Sequence, residues 1–116
     1  MAIPARYDLR LYEGDDTMLV MQWKDDAGNP KDLSTSTIKL GAKRELTDKA
    51  LLFEVDGQII NAPLGKFALA IPNAMTTGIT DGKLTRLAYD VEIVLPSGLT
   101  QTLFHGFINV QPEVYP

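Results

Sequence analysis

Apolar and polar residues alternate along most of this chain with the two-residue period of β-strands. From Arg6 to Tyr12, Tyr7, Leu9 and Leu11 share one face and Asp8 and Arg10 the other. Thr17–Trp23 sets Met18, Val20 and Gln22 against Leu19, Met21 and Trp23. It is expected to be a central strand, partly buried on both faces, with methionines filling gaps. Thr37–Arg44 alternates again, with Ile38, Leu40 and Ala42 opposing Lys39 and Lys43. Ala50–Val55 and Gln58–Ile60 flank Asp56-Gly57, the strongest short hairpin signal. Lys66–Ile71 places Phe67, Leu69 and Ile71 opposite small alanines. In Pro72–Thr80, Asn73 can cap one helical turn and Gly78 can end it. Glu13–Asp16, Lys24–Pro30 and Asn61–Gly65 are turn-forming clusters between these runs. Ser34–Glu54 also contains helix formers and a Thr47 cap, but Gly41 and the β-branched run before it argue against a long helix.

The strongest pattern lies in Arg86–Val110. Leu87, Tyr89, Val91, Ile93 and Leu95 share one face, with Asp90 and Glu92 on the other. The second arm is apolar on both faces. An even loop, Ser97-Gly98 or Pro96–Leu99, sets Val91 opposite Phe104, Leu87 opposite Ile108 and Tyr89 opposite Gly106. An odd loop sets Val91 opposite Leu103. The even register is preferred because it sends Phe104 and Ile108 inward with the acidic residues outward. It leaves Leu103, His105 and Phe107 facing outward, where they would form an apolar patch fit for a partner.

About eight short strands with turns between them predict an all-β domain. The expected fold is an immunoglobulin-like antiparallel β-sandwich of about seven to eight strands with one short helical turn. Residues 1–111 are expected to form a single domain, and 112–116 an extended tail with two prolines that carries Val114 and Tyr115. The 116 residues suffice for one core, and the 45% hydrophobic and 22% charged fractions are those of a globular chain. With no cysteine, disulfides and thiolate metal sites are excluded. The net charge of −4 and the scattered basic residues argue against a nucleic-acid partner. No signal-peptide pattern opens the chain. The uncharged stretch Ile93–Pro112 is broken by Pro96, Gly98 and Gly106, so a soluble protein without membrane contact is expected.

Chemistry finds little support. His105 is the sole histidine, and no serine has the spacing of an activated nucleophile. Glu13–Asp16 and Asp25–Asn29 invite Ca²⁺, but lack the alternating ligand spacing of a calcium loop. They are better explained as Asp and Asn bonding their own backbone. No catalytic residue, metal or cofactor is therefore expected, and an enzyme is not.

The order of these signals resembles the small β-sandwich modules of tailed-phage virions, typified by the N-terminal domain of the baseplate upper protein and related fibre and adaptor domains. The resemblance is carried by Glu13-Gly14-Asp15-Asp16 after the first strand and by the apolar strand Thr17–Trp23. It is carried also by the D-x-x-G-x-P-x-D-L turn at 25–33, by the strand and short helical turn at 65–80, and by the closing Tyr89-Asp90-Val91 strand with its Gly106, Ile108 and Val110 ending. It implies a non-enzymatic structural module of a virion tail, baseplate, collar or fibre adaptor, assembled in the host cytoplasm. Its partners would be other virion proteins, as a homo- or hetero-oligomer. The expected interface is Leu103, His105, Phe107, Val114 and Tyr115. A carbohydrate- or host-receptor-binding module is the alternative.

Overall fold

The computed structural model describes residues 5–113, so Val114 and Tyr115 lie outside the described residues. Eight strands follow one another: β1 (Ala5–Arg6), β2 (Leu9–Tyr12), β3 (Thr17–Gln22), β4 (Thr37–Lys43), β5 (Phe53–Asn61), β6 (Lys66–Ile71), β7 (Thr85–Val94) and β8 (Thr100–Gln111). Among the described residues the one helical element is a 3₁₀ turn at Asn73–Met75. Asn73 opens this turn but does not cap it; Pro72 holds the cap position with no side-chain bond. The chain from Arg44 to Leu52 forms no helix.

The strands build two faces of an immunoglobulin-like sandwich. One face runs β8-β7-β4, with β1 and β2 both on the far edge of β8; the other is β5-β6-β3. The pairings are antiparallel except at that edge, where β1 and β2 lie parallel to β8. Tyr7 and Asp8 interrupt the predicted Arg6–Tyr12 strand between β1 and β2.

The two faces are joined by β5, and here the sequence expectation is overturned. Asp56-Gly57 makes no hairpin. Neither residue takes positive φ, which a two-residue hairpin turn requires. Phe53–Asp56 pairs with β4, and Gly57 onward pairs with β6. The strand thus passes straight through Gly57 from one sheet to the other. Glycine is needed there for space: a Cβ would lie 2.9 Å from Cβ of Ile38.

Between the sheets lie Leu40, Phe67, Leu69, Leu87, Val91, Ile93, Ile108 and Val110, all fully buried. Each such side chain contributes about 1.5–3 kcal/mol by leaving water. Leu87, Tyr89, Val91 and Ile93 are core positions, as the alternation predicts. β3 is not the expected central strand. It pairs with β6 alone among the described residues, and Met18 and Val20 are 66% and 64% exposed.

The Pro72–Thr80 segment closes one end of the core, and Glu13 holds it. The Glu13 carboxylate accepts the Thr80 N–H and hydroxyl, each at 2.9 Å. The Gly14 N–H donates to Thr76 Oγ1, and the Asn73 N–H to Asp16 Oδ1. These bonds satisfy the buried Thr76 and Thr80.

Two stability effects follow. Gly57→Ala should cost about 1–3 kcal/mol in urea unfolding, because the added methyl overpacks against Ile38; a turn glycine without that neighbour would lose less. The Thr80 hydrogen bonds hold the Glu13 carboxyl below its ordinary value of 4.5. The unfolded chain therefore takes up the proton first. The stabilisation is complete above 4.5 and is lost as the pH falls through the lower folded value. Glu13→Gln should lower the melting temperature at neutral pH and flatten its fall between about pH 5 and pH 3.

Candidate functional site

The tip of the closing hairpin is a three-residue loop. Leu95 N–H donates to Leu99 O and Gly98 N–H to Leu95 O, and Val94 pairs with Thr100. This odd loop sets Glu92 opposite Thr102, whereas Val91 pairs with Phe104. Both predicted registers therefore occur in one hairpin, joined by a bulge that holds Leu103 as the extra residue. Beyond it the even register holds: Tyr89 faces Gly106 and Leu87 faces Ile108.

The bulge corrects one expected interface residue. Leu103 does not face outward. It is 3% exposed and joins Phe104 in the core, because two consecutive residues of a bulge share one side of the ladder opposite Val91. His105 and Phe107, beyond the bulge, do face outward; His105 is exposed and Phe107 half-buried.

Phe107 is flanked by charge. The Arg86 guanidinium lies 4.4 Å and the Arg6 guanidinium 5.6 Å from its ring centroid. Each contact of this kind is worth about 0.5–1 kcal/mol at an exposed site. Arg6 also lies 3.7 Å from Asp8. The Arg44–Leu52 segment overhangs this face. Leu52 N–H donates to Ala42 O, and Leu51 fills the space above Gly41. Arg44 is fastened by a hydrogen bond from Nη2 to Ile79 O.

Between the overhang and the β7–β8 face lies an open cleft of about 390 Å³. Arg44, Glu45, Leu46 and Thr47 form one wall, and Arg86, Ala88 and Phe107 the other. Leu46 is 76% exposed at the rim. Asp90, opposite His105 on the same face, has its carboxyl pushed up by burial, against the pull of Lys43 and His105. With Arg44 and Arg86 against Glu45, the cleft lining carries a small positive excess and is partly apolar, in a chain of net charge −4. Pattern reasoning located His105 and Phe107 and missed Arg6, Arg44, Leu46 and Arg86. Arg86 was legible, since the register sets Ala88 opposite Phe107 and so Arg86 diagonal to it. The overhang was not, because the 44–52 segment has no periodicity.

A cross-brace holds the face from beneath. Tyr89 on β7 reaches past Gly106 on β8 and donates from its hydroxyl to Tyr7 O at 2.7 Å. Gly106 has φ of +152°, and a Cβ there would collide with the Tyr7 carbonyl. The Asp8 carboxylate accepts the Phe107 N–H at 3.0 Å. Burial, with the Asp8 charge and Tyr7 adding to it, pushes the Tyr89 phenol up to about 12, so it remains a donor.

The Asp25–Asn29 turn bonds its own backbone as expected, whereas the Glu13–Asp16 turn does not: Glu13 and Asp16 accept from the distant Thr80 and Asn73. Asp25 Oδ1 accepts the N–H groups of Ala27 and Asn29. Among the described residues no group of three or more His, Cys, Asp or Glu side chains could hold a metal ion, and no helix is long and apolar enough to cross a membrane.

No protein-family model matches the chain, and no curated protein does. Among solved structures, 40 chains match. Murine CRIg is similar over 91% of this chain and 92% of its own, at 13% identity and a TM-score of 0.43. The sandwich assignment stands on the strand pairings themselves.

Two substitutions test the brace. Gly106→Ala should cost about 3 kcal/mol or more, since neither its φ nor the Tyr7 carbonyl can give way cheaply. Tyr89→Phe should cost about 1–3 kcal/mol by leaving the Tyr7 carbonyl unpaired. The wild type should lose stability as pH rises from 10 through about 12, because a raised folded value favours the fold only while the phenol stays protonated. Tyr89→Phe should remove that alkaline step in a pH series of urea melts.

Proposed function

We propose that this domain is a non-enzymatic structural and attachment module of a bacteriophage particle, docking to a neighbouring subunit in a tail, baseplate, collar or fibre assembly. The phage context rests on the order of turns and strands, from Glu13–Asp16 through the Asp25–Leu33 turn to the Gly106–Val110 ending. The observation that carries docking is the Phe107 cleft. An aromatic ring between two guanidiniums, with an exposed leucine across the gap, has the composition of an interface anchor. Its charge selects a partner segment that carries carboxylates beside an apolar side chain.

This site replaces the expected Leu103 contact, since Leu103 is buried and cannot meet a neighbour. It retains Phe107 and adds Arg44, Leu46 and Arg86, while His105 lies on the same face outside the cleft. Folding stability does not depend on the cleft's open side, so a change there can separate docking from folding.

Phe107→Asp should weaken incorporation into particles by at least about 30-fold in apparent affinity, equivalent to about 2 kcal/mol. Arg86→Glu should weaken it further at low salt than at high salt. Both variants should keep the wild-type fold by circular dichroism, with Phe107→Asp melting lower because it loses two arginine–ring contacts worth about 0.5–1 kcal/mol each. Unchanged incorporation of Phe107→Asp would remove this face as the contact. Glycan-array binding lost in the same variant would instead favour the carbohydrate-binding alternative.

A further inference from the structure

β3 has an edge that nothing among the described residues covers. Its pairing with β6 runs without a break from Thr17 to Gln22. The strand contains no charge and no proline. Proteins commonly guard an open edge with a bulge, a lysine or a proline, and β3 has none of these within it. The Trp23 N–H donates to Gly65 O on the β6 side. Peptide groups alternate along a strand, so Met18, Val20 and Gln22 direct their N–H and C=O groups to the open edge. Beside that edge lies a cleft of about 450 Å³, whose apolar wall is Tyr7, Leu9, Leu19, Met21 and Phe104 and whose polar part is Gln22 and Lys24.

We infer that the occupant of this edge is β3 of a second copy of the chain, paired antiparallel about a two-fold axis. The geometry is restrictive. A shared sheet face and outward peptide groups require even-numbered residues to meet even-numbered ones. Two central registers satisfy this. With Val20 on the axis, Met18 meets Gln22 and Asp16 meets Lys24, twice by symmetry. With Leu19 on the axis, Asp16 meets Gln22 and Lys24 meets Gly14. Charge complementarity selects the first. Neither Asp16 nor Lys24 forms an ion pair among the described residues. Asp16 spends only Oδ1, on the Asn73 N–H.

In the Val20 register, Leu19 and Met21 of the second copy lie over the apolar wall of this cleft. The β5-β6-β3 face becomes one six-stranded sheet across two chains. The exposed Met18 and Val20 rows become continuous on its outer surface. β3 belongs to the sheet opposite the Phe107 cleft, so this pairing and the docking reading stand or fall separately.

The test is the mass in solution at about 100 µM, where a micromolar dimer is fully formed. The wild type should be a dimer. Val20→Lys places two lysines together on the axis and should give a monomer with an unchanged fold by circular dichroism. Lys24→Asp, which leaves Asp16 on the Asn73 N–H, should raise the dimer Kd about tenfold at low salt and by less at high salt. A wild type that is monomeric at this concentration overturns the proposal, as does a dimer that survives Val20→Lys. A dimer Kd that Lys24→Asp leaves unchanged at low salt overturns the register.

Discussion

The Tyr89 hydroxyl bond to the Tyr7 carbonyl, passing over a glycine, is the constraint on which the arrangement of this sandwich turns. Three strands meet there. β7 supplies the ring, β8 supplies the gap at Gly106, and the kink between β1 and β2 supplies the acceptor. With any side chain at position 106, the Tyr7 carbonyl would have to move. β1 and β2 could then not both lie against β8. The same kink lets Asp8 reach the Phe107 N–H. It also brings Arg6 to the Phe107 ring. A part-buried bond between residues 82 apart in sequence thus sets the geometry of an exposed surface.

A second constraint is the extra residue in β8. A three-residue tip and a core register that differ by one position cannot both be met by regular pairing. The bulge at Leu103 reconciles them and sends two apolar side chains inward together. The cost is a break in the ladder; the return is a filled core and a turned strand beyond it. His105 and Phe107 face outward because they follow the bulge, and the acidic residues of β7 stay outward on both sides of it.

The strand faces were legible wherever one side of a strand meets the core and the other meets water. β4, β6 and β7 obey this, and their alternation gave the buried residues directly. Legibility failed where a residue choice answers to a neighbour distant in sequence. Gly57 looks like a turn glycine, yet it is small because Ile38 lies against it. Thr17–Trp23 looks central because it is apolar, although it is an edge. At the site, Phe107 followed from register alone. Leu46 and Arg44 did not, because the loop that carries them is placed by Leu51 over Gly41 and by Arg44 on the Ile79 carbonyl.

The sequence by itself determined that the chain is all-β, which faces of its regular strands are buried, and that Tyr89 meets Gly106. Those outcomes depend on local alternation and on one hairpin, and both are written in consecutive residues. Only the tertiary structure decided that β1 and β2 run parallel to β8, that β5 crosses between sheets at Gly57, and that Leu103 turns inward. Each of these depends on fitting strands of fixed twist and unequal length around one core. That condition is met by the whole chain at once and by no segment of it.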